Sequence, residues 1–372
     1  MRYFIQYPAG TSELVVDALS NFVDDFSVHY QDDSSAIFDS TSSAEQVAKI
    51  PFAKNAFIVI ASTPRKDVDQ SARRLSSLLG REDFPALPAR TPGFRLMAHI
   101  DGELSSIAPA VRADIEGMVS SRTGLRVEPR GMCQEYWVVG RLDMRELLFC
   151  ARLPKTARPK KSPGAVSHEL SSMLVLASQP GPQDVYLDPF AGSGSFVWAR
   201  LDMPAREIIY SDTDIATHRG GFPGEPARDE RVRFLSEDAL TLPSIPDGTV
   251  DVVVTDPPWG EHEELPLPPE EFAHAVAKSL ARVLTPATGR LVLLCSRRGA
   301  DAYGDGLGAA GFVVDATHGI LVNGHPATVF VARRSSSVTA VAAESAYRPS
   351  ARSKPLLVGM ATYRRAMGRF SR

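Results

Sequence analysis

The apolar run Val250-Asp251-Val252-Val253-Val254-Thr255 stops abruptly at Asp256-Pro257-Pro258-Trp259. Together, run and stop constrain the fold more than any other stretch. So short and β-branched a run reads as a strand buried on both faces. Two consecutive prolines cannot extend it, because each lacks a backbone N–H and fixes φ at about −65°. The chain must turn as it leaves the strand. That turn gathers a carboxylate, two rigid carbonyls and a flat aromatic ring on one small surface. Such a surface suits a planar group bearing an amine: carboxylate and carbonyl accept its N–H bonds, and the ring stacks on its face. Nucleobases are planar amines of this kind. The plain alternative is a strand end followed by a proline-kinked loop.

A second motif lies upstream. Asp184-Val185-Tyr186-Leu187-Asp188 reads as a short buried strand, Pro189-Phe190-Ala191-Gly192-Ser193-Gly194-Ser195 as a glycine turn, and Phe196 opens an apolar helix. Strand, glycine turn and helix begin a nucleotide-binding βαβ unit, whose ligands sit at the carboxyl ends of the strands. A phosphate loop does not fit: no Gly-Lys-Ser/Thr follows, the third glycine of a dinucleotide site is missing, and Asp188 would repel a pyrophosphate. An acidic turn suits a ligand with an amine and a cationic centre. S-adenosylmethionine, with its sulfonium, α-amine and ribose, meets that description.

Two further strands end in acids. Glu207-Ile208-Ile209-Tyr210-Ser211 is followed by Asp212, about 20 residues past the glycine turn, where a ribose-binding acid is expected. Asp214 is an alternative for that role. Residues 232–237 lead to Asp238 and Ala239, placed to accept from an adenine amine. Each acid alone reads more often as a solvated loop residue; it is their ordered succession before the proline turn that points to a site.

In this order, Asp188-Pro-Phe-Ala-Gly-Ser-Gly-Ser195, Asp212, Asp238 and Asp256-Pro-Pro-Trp-Gly260 resemble the S-adenosylmethionine-dependent amino-methyltransferases, in particular the THUMP-domain RNA guanine-N2 methyltransferases. Ala191, Ser195 and Trp259 stand where that family usually has Cys, Thr and Tyr. The resemblance extends more softly to the N-terminal half, and covers roughly residues 1–334. It implies an α/β fold: a Rossmann-like doubly wound methyltransferase domain preceded by an α+β region, ferredoxin-like and then THUMP-like. It implies S-adenosyl-L-methionine as cofactor and structured RNA as partner, tRNA before rRNA. It assigns Asp256, Pro257, Pro258 and Trp259 to the reacting amine. The cofactor falls to Asp188, Phe190, Ala191, Gly192, Ser193, Gly194, Ser195, Phe196, Asp212, Asp238 and Ala239. The rival readings are an adenine-amine methyltransferase on DNA or RNA, a protein-glutamine methyltransferase, and a non-catalytic RNA-binding protein on the same scaffold.

Along the chain the expected units are 1–62, with a βαββαβ pattern; 63–152, THUMP-like, with a helix over 68–79; a basic, proline-marked linker over 153–165; the methyltransferase domain over 166–334; and a basic, flexible tail over 335–372, for which a short amphipathic helix near 356–370 that touches RNA is the alternative. Gly220, Gly221, Pro223, Gly224 and Pro226 argue against a full helix between the second and third strands of the catalytic domain. A final strand pair is expected at 311–314 and 327–332, with His318 and His325 in the loop between them.

A net charge of −3 excludes a globally basic nucleic-acid binder, so affinity for RNA must come from local patches. Cys133, Cys150 and Cys295 lack metal spacing and read as reduced, buried thiols of a cytoplasmic protein, with no metal expected. The first residues are too short and polar for a signal peptide, and no stretch approaches a membrane span.

Overall fold

A computed structural model of the chain describes residues 1–85, 87, 92–128, 130–131, 133–155, 164–215, 229–261 and 264–336. Most of the basic linker, the glycine- and proline-rich stretch after Ile215, and nearly all of the basic tail lie outside the described residues.

The N-terminal half opens with β1 (Arg2–Gln6), α1 (Ser12–Leu19), β2 (Ser27–Gln31), β3 (Ser35–Asp39), α2 (Ala44–Ala48) and β4 (Asn55–Pro64), the succession expected from the sequence. α2 begins where a capping box forms: Ser43 accepts from the Gln46 N–H while the Gln46 side chain accepts from the Ser43 N–H. Next come α3 (Val68–Leu79), β5 (Gly93–Ile100), β6 (Glu103–Leu104), α4 (Pro109–Thr123), β7 (Arg126–Val127), β8 (Gln134–Gly140) and β9 (Glu146–Arg152). β4 pairs antiparallel with β9, so one nine-stranded sheet runs unbroken across residue 62, in the order β2-β3-β1-β4-β9-β8-β5-β6 with β7 beside β5.

The second half contains α5 (His168–Ala177), β10 (Val185–Asp188), α6 (Ser195–Leu201), β11 (Glu207–Ser211), β12 (Val232–Leu235), β13 (Val252–Thr255), α7 (Pro269–Val283), β14 (Arg290–Ser296), α8 (Ala300–Ala309), β15 (Phe312–Val322) and β16 (His325–Arg334). The sheet order is β12-β11-β10-β13-β14-β16-β15; every neighbouring pair is parallel up to β14, and β16 runs antiparallel to both its neighbours. β10 and β13 are buried at every residue. Their alternate side chains feed two separate cores, as a strand with packing on both faces requires. The chain leaves β10 toward β11 and returns to β13 on the other side of it. That reversal opens a crevice at the carboxyl ends of these two strands.

Two sequence expectations are corrected. The last two strands are longer than expected: β15 extends to Val322 and β16 begins at His325, so His318 lies within a strand and His325 at the start of one. The reason is the Asn323-Gly324 turn, where φ is 52° and 89°. Such a pair closes a tight hairpin without disturbing the twist of its strands. In addition, Cys133 is only partly buried, whereas Cys150 and Cys295 are fully so. No helix among the described residues is long and apolar enough to cross a membrane.

The two sheets share a core. Tyr3, Ile5 and Val15 of the N-terminal half pack in one cluster with Leu170, Met173, Phe196 and Ile320 of the second half. Gly10, at φ 88°, lies against β15 so closely that a Cβ there would come 2.4 Å from the Gly319 carbonyl oxygen. Only glycine permits that approach.

Candidate active site

The glycine turn is shaped by β11 as much as by its own glycines. The Ala191 N–H donates to the Ser211 carbonyl at 3.0 Å, and the Gly192 N–H donates to Oδ2 of Asp212 at 2.8 Å. Gly192 and Gly194 take φ values of 47° and 75°, and Gly194 caps α6. Asp212 also accepts the Asp214 N–H at Oδ1, 2.9 Å away. Thus the acid predicted for a ribose also fixes the loop that would cradle the same ligand. Asp238 closes its own turn by accepting the Leu240 N–H at 2.9 Å.

The proline turn leaves β13 next door. Trp259 donates its indole Nε1–H to Oδ1 of Asp256 at 2.7 Å. The expected role of this ring is only to stack; across a Pro-Pro turn, the three-residue spacing also brings the indole edge back to the carboxylate. Cys295 and Tyr303 are buried nearby, and their pKa values lie above the ordinary range, first through burial and additionally through the Asp256 charge.

A cavity of about 1350 Å³ joins the two turns. Of the predicted site residues, Phe190, Ala191, Gly192, Ser193, Ser195, Phe196, Asp212, Asp238, Ala239, Asp256, Pro257, Pro258 and Trp259 all line it. Asp214 lines it too.

Gly194 and Asp188 are not among the lining residues. Asp188 lies behind the wall, 1% exposed, where its Oδ1 accepts from the Thr255 hydroxyl at 2.9 Å and the Phe190 N–H at 3.3 Å. Its Oδ2 is buried with no hydrogen-bond partner among the described residues. Burial pushes its pKa up to about 8, with the charges of Asp256 and Asp212 adding to the rise. Thr255 is thus the link between the acids at the tips of β10 and β13.

Sequence reasoning missed the rim. Val322, Asn323 and His325, from the tip of the β15–β16 hairpin, line the cavity opposite the glycine turn, as do Glu261 and residues 164–166. The Asn323-Gly324 dipeptide is the signal that would have located them.

No protein-family model matches the chain, and no curated protein matches it. Solved structures do share its fold. TrmN from Thermus thermophilus superposes with a TM-score of 0.69 at 20% identity, covering 90% of this chain and 99% of its own. A structure of SMU.472 complexed with SAH gives 0.59 at 12% identity, over 91% of this chain and 98% of its own. A predicted N6-adenine-specific DNA methylase from Listeria monocytogenes gives 0.59 at 13% identity, over 89% and 95%. At these identities the likeness concerns the fold: an α+β half followed by a Rossmann-like doubly wound half, over nearly the whole of each chain.

Proposed function

We propose that the chain transfers a methyl group from S-adenosyl-L-methionine to an exocyclic amine of a base in structured RNA, with the N2 amine of guanosine in tRNA as acceptor. The observation that carries this reading is a single cavity walled by the Asp256–Trp259 turn on one side and by the glycine turn, Asp212 and Asp238 on the other. The N-terminal half, with its expected ferredoxin-like (1–62) and THUMP-like (63–152) parts, is assigned to holding the RNA.

The residues suit the cofactor. Asp212 and Asp214 suit ribose hydroxyls, Asp238 an adenine amine, and the acidic surroundings as a whole a ligand with a sulfonium and an α-amine. Held by these acids, S-adenosylmethionine would supply an electrophilic methyl carbon, with the S–C electron pair left on sulfur.

The remaining work falls to the chain. An amine conjugated with a base is a poor nucleophile, because its lone pair is delocalised into the ring. Asp256 and the Pro257 carbonyl accept its two N–H bonds and turn the lone pair toward the donor. A carboxylate offers about four acceptor positions, so the bond from Trp259 leaves capacity for the amine. Trp259 both covers the base and holds Asp256 in one rotamer. Most of the acceleration then comes from orientation and fixed dipoles. The methylated nitrogen becomes acidic, and Asp256 takes its proton. To reach the turn, a base must leave its stack.

The test is methyl transfer from radiolabelled S-adenosylmethionine to bulk tRNA and, separately, to duplex DNA, followed by mass analysis of the nucleosides. N2-methylguanosine from tRNA is expected. Methyladenine appearing in DNA alone, or no binding of S-adenosylmethionine by calorimetry, overturns the proposal.

A further inference from the structure

Beyond Trp259 lies a second cavity, of about 650 Å³, lined by Gly260, Glu261, Arg297, Arg298, His325 and Pro326. Glu261 and His325 line both cavities, so the two share a wall. Arg297 and Arg298 directly follow β14, at the same end of the sheet as the Asp256 turn. Both side chains are exposed, and neither makes an ion pair or a hydrogen bond among the described residues. The backbone beneath them is nonetheless held: the Arg297 N–H donates to the Pro326 carbonyl at 3.1 Å. A Cβ on Gly319 would come 3.4 Å from Nη1 of Arg297, so this guanidinium lies close over the hairpin. Glu261 is the one carboxylate among the lining residues, and it faces His325 at 4.0 Å. Among the described lining residues, two permanent cations thus stand against one acid.

A base drawn into the proline turn brings its sugar and phosphates with it, and these must rest beside the turn. We propose that Arg297 and Arg298 form a phosphate subsite that grips the phosphodiester of the acceptor nucleotide, fixing its register while the Asp256 turn holds its base. The proposal rests on the nucleic-acid methyltransferase reading. Phosphate contacts position a nucleic acid without reading its sequence. Guanidinium groups suit that task, because their paired N–H bonds match two phosphate oxygens.

The experiment uses the full chain and fluorescein-labelled bulk tRNA, with anisotropy titrations across a series of salt concentrations. Arg297→Ala/Arg298→Ala is compared with wild type and with Arg206→Ala/Arg333→Ala, which removes the same charge at the opposite end of the sheet. In the first variant the slope of log affinity against log salt should shrink by about 1.5, as for two lost phosphate contacts. Its KM for tRNA should rise roughly tenfold, with cofactor affinity unchanged. The control should keep the wild-type slope. A wild-type slope in the first variant, or an equal loss in both, overturns the subsite. If wild type binds tRNA without methylating it, the proposed function fails while the slope comparison still decides the subsite. If wild type does not bind tRNA, both fall.

Discussion

Nε1 of Trp259 stands 2.7 Å from Oδ1 of Asp256, so the aromatic residue of the proline turn is also the partner of its carboxylate. This bond joins two tasks: covering a flat acceptor and keeping the acid aimed at it. Trp259→Phe separates them, because it keeps a ring and removes the donor. The turnover number should fall roughly tenfold, the worth of one hydrogen bond to a charged group, while cofactor affinity holds. Asp256→Ala should abolish turnover, again with cofactor affinity largely intact. Steady-state kinetics beside calorimetry would check both; loss of cofactor binding in either variant would contradict this division.

Asp188 predicts a pH dependence of stability. Its carboxyl is raised from 3.8 to about 8, chiefly by burial. Between those values the folded chain keeps a proton that the unfolded chain has lost. Its stabilising contribution is therefore complete below about pH 4 and disappears as pH rises through 8, at a rate of up to about 1.4 kcal/mol per pH unit. Asp188→Asn is neutral throughout and removes this slope. In urea unfolding of the ligand-free protein, the variant should gain on wild type from pH 5 to pH 8. Parallel profiles would show that Asp188 is ionised in the fold.

The doubly wound half was readable because buried parallel strands are short continuous apolar runs, and those ending at Asp188, Asp212 and Asp256 need no long-range information to recognise. The full length of the final hairpin was not, because β15 is half-exposed and carries Asp315, Thr317 and His318 among its apolar residues. Apolar continuity fails on such a strand, and only the Asn-Gly turn marks it. The site was readable as a set of residue types but not as a surface. Nothing local says that Asp188 is drawn behind Thr255 and away from the cavity, since burial there is decided by packing from both sides of the sheet.

At the far end of the seven-stranded sheet, Asp184 holds two arginines: Nη2 of Arg200 at 3.0 Å and Nη2 of Arg290 at 2.5 Å. Arg200 is 0% exposed and also lies 5.7 Å over the Tyr186 ring. Removing the carboxylate leaves a buried cation with no counter-charge, which costs about 3–5 kcal/mol. Asp184→Ala should lower unfolding stability by that amount. Arg200→Met should cost less, because it removes the buried charge together with its desolvation. Chemical denaturation of the two variants would check the order, and Arg200→Met proving the more harmful would refute it.

The hairpin tip offers the sharpest separation of stability from site geometry. Gly324 has φ 89°, and a Cβ added there would meet nothing within 4 Å. The cost of Gly324→Ala is therefore conformational, about 1–2 kcal/mol for a side chain forced into the left-handed region. That is small for a sheet with a large buried core, but it falls on the turn that places Val322, Asn323 and His325 at the cavity rim. A relaxed turn would move those three side chains and leave the glycine turn and Asp212 on the opposite wall undisturbed. KM for the acceptor should therefore rise severalfold, with the dissociation constant for S-adenosylmethionine unchanged and only a modest loss of thermal stability. Weakened cofactor binding without a change in acceptor KM would place the hairpin on the cofactor side of the cavity instead.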